Sequence, residues 1–423
     1  VLFRSAIELY LQKKSENEGW ERQINGLSNN EKANLLLEKH TFKELLADVE
    51  QRNLQNNIVG LEASRLFARS EINMGVDAFR DSLYAMLKRN TFLNIKFENM
   101  LDTLGEMSRT DLYSYLKEWE QLTPLPFYSI GEPELTKVVN KGGEEFFVLK
   151  VLVSNNSDYD GIIQMNVLQN GWWYQPMEDP RARKKVEIAA HTSKEFVSVW
   201  EEQIRDVEIN TMVSGNLPYM IRQSIGNVKQ ERNKIVKDTI YTLPESSLEM
   251  PGEVIVDNED STLFVLSTPA VVGLLPKWLD KVEDTSFKYS GISWWRAPLQ
   301  WTATTNAKYY GKYIRSAYVI KSGDGSQTAT WKIPVPEAGQ YELYYHVFKD
   351  DELRWNDRLQ GEYHFRVAYD SEMEDAYINL RKANEGWEQL GTYYFSADTV
   401  RVVLTDECKL RSVTADAVKI VKR

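Results

Sequence analysis

Trp331-Lys-Ile-Pro-Val-Pro-Glu-Ala-Gly-Gln-Tyr-Glu-Leu-Tyr-Tyr345 and Gly386-Trp387-Glu-Gln-Leu-Gly391-Thr-Tyr-Tyr-Phe395, closed by Ala415-Asp416-Ala417-Val418, decide the fold of this chain. The first stretch is a strand, a Pro/Gly turn and an alternating strand. The second is a Gly-bounded aromatic strand, and the third is a short apolar one. Tyr341, Leu343 and Tyr345 fall on one face, while Glu342 and Tyr344 fall on the other. Gly339 makes the turn without a Cβ clash. The pattern predicts an antiparallel β-sandwich.

Working outward, 423 residues suffice for several domains. Hydrophobic content of 42% and charged content of 27% fit ordinary globular cores. The net charge of −11 argues against a nucleic-acid or anionic-membrane role for the whole chain. The single cysteine, Cys408, excludes an intrachain disulfide framework and reads as a strand core residue. His40, His191, His346 and His364 are far apart in sequence and form no His-x-x-x-His pair. The longest apolar-leaning run, Leu263 to Leu275, is interrupted by Pro269 and Gly273 and is too short to span a membrane. The N-terminus lacks a charged-apolar-small signal order and an initiator Met. Val1-Leu-Phe-Arg-Ser5 is what a sequencing adapter gives on translation, so the chain is expected to be the C-terminal part of a longer protein.

The predicted class is multidomain α + β: an N-terminal helical region followed by two antiparallel β-sandwich domains, at 1–128, 129–245 and 246–423. In 1–128, Asn30 is expected to cap a helix running to about Gln55. Ile58–Ile72 is a second helix. Gly75–Leu87 is a third, with Val76, Phe79, Leu83 and Leu87 at helical spacing. Lys96–Glu106 is a fourth, and Thr110 is expected to cap a fifth that carries Trp119. Gly75 with Phe79-Arg80, then Phe92-Leu-Asn94, Ser108-Arg109-Thr-Asp111-Leu112, Trp119 and Pro126 resemble the C-terminal end of the catalytic domain of gluzincin, aminopeptidase-N-like zinc peptidases. Arg109 stands where that family often has Gly, which predicts a looser turn. The resemblance implies scaffold residues only. The family's His-Glu-x-x-His helix, which supplies two zinc ligands and the general base, does not occur in this chain. No catalytic or metal residue and no cofactor are therefore expected here, and zinc would belong to the full-length protein. His40 reads as a surface residue.

Residues 129–245 switch to period two. Glu145–Val153, Ile162–Leu168, Lys184–Ala189, Glu195–Trp200 and Val207–Val213 read as strands around Asn/Asp/Gly turns. The charge run Lys229–Lys237 reads as a solvated linker or edge strand. Trp172-Trp173-Tyr174 reads as packing, with an exposed ridge as the rival. Thr242–Gly252 is a boundary by composition. Beyond it, Asp257-Asn-Glu-Asp260 reads as a plain acidic turn, with Ca²⁺ binding as the rival. Pro276–Asp280 reads as a short helical insertion.

Trp331, Pro336-Glu-Ala-Gly339-Gln-Tyr341, Trp387, Leu390-Gly391-Thr-Tyr-Tyr-Phe395 and Ala415–Val418 occur in the order seen in the golvesin C-terminal-like domain, also described as a xanthan-lyase carbohydrate-binding-like domain. The resemblance covers 253–423 and departs from the family in a long insertion between Val265 and Ser293. Seven of the 12 Trp lie in this region. Sugar-binding sandwiches stack Trp and Tyr faces on pyranoses, and aromatics also fill sandwich cores. Trp331 and Trp387, inside the motifs, read as core. Trp294, Trp295 and Trp355, in polar or loop contexts, are the better candidates for a ligand face, with domain–domain packing as the main rival.

Three functions follow as expectations. The first is the non-catalytic C-terminal part of a zinc aminopeptidase-like bacterial protein, with an upstream membrane domain. The second is a carbohydrate- or cell-envelope-binding protein. The third is a structural protein-interaction module. By analogy the location is the bacterial cell envelope, with a polysaccharide or envelope ligand and no nucleic-acid partner.

Overall fold

The computed structural model describes residues 6–7, 9–10, 18–91, 96–118, 121–122, 124–168, 179–232, 236–245, 248, 252–267, 287–292, 296–349 and 361–423; for Gly19, Trp20, Phe97 and Pro180 it describes the backbone only. These form two compact units, one of residues 1–18 with 29–248 and one of 19–28 with 249–423.

In the first unit, helices Asn29–Leu37, Phe42–Ala47, Gln55–Met74, Val76–Arg89, Phe97–Ser108 and Leu112–Glu118 share one core around Ile58, Phe67, Phe79, Leu83, Leu101 and Leu104. The long helix expected from Asn30 to Gln55 is broken after Leu37. Thr41 caps a new helix at Phe42, its hydroxyl accepting from the Glu44 N–H while Glu44 accepts from the Thr41 N–H. This reciprocal box satisfies two donors that a continuous helix would not leave free. Asp111, not Thr110, caps the last helix: its carboxylate accepts from the N–H groups of Tyr113 and Ser114 at 3.2 Å. The turn at Arg109 is not loose. Arg109 takes the left-handed conformation (φ 52°, ψ 40°) and closes the helix Phe97–Ser108. An L side chain is strained there and glycine is not. Arg109→Gly is therefore expected to raise stability by about 0.5–1 kcal/mol; a lower urea midpoint would contradict this.

The β part of this unit is two packed sheets. One runs Thr239–Pro244, Thr192–Trp200, Glu145–Asn155, Glu134–Val139, Val228–Arg232, with Tyr128–Ile130 also pairing on Glu145–Asn155. The other runs Arg183–Ile188, Gly161–Leu168, Asp206–Asn210, Met220–Ser224. Leu135, Leu149, Val151, Ile163, Phe196, Trp200 and Ile209 fill the space between them. The expected strands form, with ends shifted by a few residues. The charge run contributes an edge strand, Val228–Arg232, that pairs parallel with Glu134–Val139; the other pairings in these two sheets are antiparallel.

His191, at the turn between Arg183–Ile188 and Thr192–Trp200, also sits at positive φ (53°). Its Nε2 meets Asp158 at 2.8 Å and its Nδ1 meets Glu245 at 2.7 Å. Two carboxylates facing both ring nitrogens require the doubly protonated imidazole. Asp158, then Glu245, hold its pKa above the ordinary 6.5. A raised folded pKa means that this clasp is fully present below about pH 6.5 and is lost as pH rises through the folded value. Proton NMR titration is expected to place His191 above 6.5 and to bring it down in Asp158→Asn. A value at or below 6.5 in the parent would refute the arrangement.

In the second unit, Glu253–Val256, Val418–Lys422, Gly339–Val347 and Gly386–Phe395 form a four-stranded sheet, in that order. Phe264–Leu266, Thr328–Pro334, Thr399–Thr405, Glu362–Tyr369 and Glu372–Asn379 form a five-stranded one. Thr302–Thr305, Ser316–Lys321 and Ser412–Ala415 make a small third sheet. Trp331, Tyr341, Leu343, Tyr345, Phe365, Phe395, Val402 and Leu404 lie in the core between the two large sheets. Trp331 is fully buried, its ring 5.4 Å from that of Phe264 and 6.1 Å from that of Tyr345, as its place in the motif predicts. The segment 19–28 belongs to this unit. Gly26 (φ 81°) and Gly291 make that approach feasible: a Cβ on Gly26 would lie 2.3 Å from the Ser290 carbonyl carbon, and one on Gly291 would lie 2.0 Å from the Ile24 oxygen.

Candidate functional site

The outer face of the four-stranded sheet concentrates exposed aromatic and polar groups. Tyr341, Leu343 and Tyr345 point inward, so Glu342, Tyr344 and His346 point outward. On the neighbouring edge strand the register shifts: Leu343 pairs with Gly391, but Tyr344 pairs with Gln389. Leu390 is the extra residue of a β-bulge, and it reverses the facing of everything before it. Tyr393 and Phe395 enter the core, whereas Trp387 comes out beside His346. The sequence expectation that Trp387 is core is thereby corrected. Trp387 is half-buried and lines the outer face with Gln389, Thr392 and Tyr394, the last 66% exposed.

The Trp387 end is held rigidly. Its ring lies 5.1 Å from His346 and 5.0 Å from Tyr310. The Lys419 ammonium sits 4.8 Å from its centroid and is anchored 2.7 Å from Glu253. Asp416, fully buried, accepts from His346 Nδ1 at 2.8 Å and from the Tyr310 N–H at 3.2 Å. Burial pushes the Asp416 carboxyl up, and His346 opposes that shift. Asp416 acts as a structural group, its carboxylate held by protein donors. It also fixes the imidazole through Nδ1, and Nε2 has no hydrogen-bond partner among the described residues. Tyr344 donates to Glu342 at 2.6 Å, and Arg423 donates to the other Glu342 oxygen at 2.8 Å. Both bonds hold the Glu342 carboxylate below its ordinary range, so it is an ionised acceptor. The face thus has a flat ring at each end, Trp387 and Tyr394, with amide, hydroxyl and carboxylate groups between them. The two rings are about 20 Å apart along the strand.

The other candidates resolve differently. The carboxylates of the acidic turn 257–260 are occupied by protein donors. Asp260 accepts from the Asp257 N–H, Asp257 from the Asn258 N–H, and Glu259 from Lys288 and Tyr289. Among the described residues no group of three or more His, Cys, Asp or Glu is placed to hold a metal ion. Cys408 lies in the turn after Thr399–Thr405, half-buried, with its thiol pushed up by burial. His40 is exposed. Trp294, Trp295 and Trp355, the ligand face expected from sequence, lie outside the described residues, as do Trp172-Trp173-Tyr174, Pro276–Asp280 and most of the insertion after Val265.

Residues 295–422 match the Golvesin C-terminal domain family. The match takes in Trp387, Tyr394, Glu342, His346 and Asp416. Among solved structures the chain is similar to a Paenibacillus xanthan lyase, at 17% identity and a TM-score of 0.29, over 71% of this chain and 27% of that one. It therefore spans about a quarter of that enzyme's length. It is also similar to the CBM35 from Cellvibrio japonicus, at 12% identity and a TM-score of 0.20, over 30% of this chain and 83% of the module. A Bacteroides uniformis β-glucuronidase follows at 11% identity and a TM-score of 0.20, over 74% of this chain and 31% of the enzyme. No curated protein matches the chain. Among the described residues no helix is long and apolar enough to cross a membrane.

Proposed function

We propose that the C-terminal unit is a carbohydrate-binding module of an extracellular or cell-envelope protein, and that it stacks glycan rings on Trp387 and Tyr394. The observation that carries this reading is the bulge at Leu390, which turns an aromatic of the family motif away from the core onto a face lined with sugar-compatible polar groups. Pyranose rings present apolar faces to aromatics and hydroxyls to the groups around them. Gln389, Thr392, Glu342 and His346 Nε2 supply those partners. Affinity electrophoresis of the whole chain through a panel of soluble neutral glycans tests it. Trp387→Ala is expected to weaken retention on the bound glycan about tenfold, because a stacked ring worth roughly 1.4 kcal/mol is a factor of ten in the binding constant. Trp387→Ala loses the ring's contacts with His346, Tyr310 and Lys419 but none in the core, so the variant is expected to remain folded at the assay temperature. Trp355→Ala serves as the rival: loss of retention there with none in Trp387→Ala would move the site to the sequence candidates Trp294, Trp295 and Trp355.

The zinc aminopeptidase-like parent is retained as a second reading for the helical region. Its motivation is Arg109, left-handed at the position where that family often has Gly, the residue that takes this conformation without strain. A His-Glu-x-x-His helix encoded in frame upstream would support this reading, and uninterrupted upstream coding sequence without one would remove it.

A further inference from the structure

The five-stranded sheet presents a different chemistry on its outer face. Trp331, Ile333, Val400, Val402, Phe365 and Val367 point into the core, so Lys332, Arg401 and Arg366 point outward from three neighbouring strands. Lys332 lies directly opposite Arg401. Arg366 lies opposite Val403, diagonal to Arg401. Like charges facing each other across a ladder are destabilising, yet none of these three side chains has an ion-pair or hydrogen-bond partner among the described residues. The carboxylate best placed to neutralise Arg366, that of Asp375 in the opposite register position, is taken by His364 Nε2 at 2.8 Å. The His364 ring is in turn stacked on Tyr377 at 4.9 Å and 9°, and Tyr377 is 59% exposed. A chain of net charge −11 thus keeps together, beside an open aromatic ring, three cations that have no ion-pair partner among the described residues.

We propose that this face binds the carboxylates of an acidic polysaccharide, with Lys332, Arg401 and Arg366 pairing with the anionic groups and Tyr377 stacking on a ring. The proposal rests on the reading of this unit as a glycan-binding module, but not on the Trp387 face. Neighbouring strands are about 5 Å apart and alternate residues about 7 Å apart, so the three cations meet anions carried on successive sugars of an extended chain. The acidic field of the remaining chain disfavours a nucleic acid, whose charge is denser.

The test is affinity electrophoresis of the whole chain through polygalacturonate and through an uncharged β-glucan, at low salt and at about 0.5 M salt. The parent is expected to be retained by polygalacturonate, less so at high salt. Lys332→Gln with Arg401→Gln is expected to weaken that retention about tenfold or more, since charge-assisted contacts are lost. Its thermal midpoint is expected to equal or exceed the parent's, because a repulsive pair is removed. Trp387→Ala is expected to leave retention by polygalacturonate intact, which separates failure of this site from failure of the neutral-glycan site. Unchanged retention in the double variant, equal retention of the parent by charged and uncharged polymers, or tighter binding of duplex DNA than of polygalacturonate would overturn the proposal.

Discussion

Lys185→Met is expected to destabilise the first unit by about 3–5 kcal/mol, the range seen when one partner of a buried ion pair is removed. Lys185, on the strand Arg183–Ile188, pairs with Glu71, on the helix Gln55–Met74, and the two side chains are 9% and 1% exposed. The Tyr10 hydroxyl donates to the second Glu71 oxygen at 2.5 Å. Burial pushes the Lys185 ammonium down and the Tyr10 phenol up, and Glu71 opposes the first shift and reinforces the second. Without Lys185 the Glu71 carboxylate is left in a dry site, with Tyr10 as its remaining side-chain donor among the described residues and the Arg80 charge nearby. Adding Glu71→Gln removes that uncompensated charge and keeps an acceptor for Tyr10. The double variant is therefore expected to recover most of the loss, giving a coupling of at least about 2 kcal/mol in a double-mutant cycle. Additive single losses would show that the pair does not act as one group. The pair ties the helical layer to the β part, so the loss is expected in one shared transition of both rather than in the helices alone.

Trp331→Ala is the second large effect, expected at about 3–5 kcal/mol for the second unit. It removes a fully buried ring from between Phe264 and Tyr345. It also removes an indole N–H that donates to the Asp416 main-chain oxygen at 3.2 Å. At roughly 2–4 °C per kcal/mol for a unit of this size, the thermal midpoint is expected to fall by about 6–20 °C. The consequence reaches the outer face. The indole holds the main chain of Asp416, whose side chain holds His346 and the Tyr310 amide. Glycan retention is therefore expected to weaken even at temperatures where the variant stays folded. A midpoint within about 3 °C of the parent would show that the core closes over the cavity, and would contradict the anchoring role given to Trp331.

What was legible in the chain follows the range over which each feature is determined. Alternation within a strand is local, so the inward facing of Tyr341, Leu343 and Tyr345 and the burial of Trp331 could be read directly. The capping box Thr41-Phe-Lys-Glu44 was also written in the sequence, and it overrides the apolar periodicity that suggested one helix from Asn30 to Gln55. Trp387 was different. Its odd number places it with Tyr393 and Phe395 on a regular strand, and only the bulge at Leu390 turns it outward. A bulge is set by pairing with another strand, and Leu390-Gly391 was its one local hint. The parallel pairing of Val228–Arg232 with Glu134–Val139 is likewise non-local: it joins segments separated by most of the sandwich. So is the membership of 19–28 in the second unit, which depends on Gly26 and Gly291 permitting close backbone approach. The cations Lys332, Arg401 and Arg366, unpaired among the described residues, sit on three separate strands, and strand pairing alone makes them neighbours.

The most direct measurement of the central claim is a titration of the whole chain, labelled with ¹⁵N-tryptophan, with a soluble neutral oligosaccharide that it retains. The Trp387 indole signal, assigned by its loss in Trp387→Phe, is predicted to shift in step with binding while the buried Trp331 signal stays in place. Saturable binding with an unmoved Trp387 signal would contradict the account, and shifts confined to Trp294, Trp295 or Trp355 would assign the glycan to those residues instead.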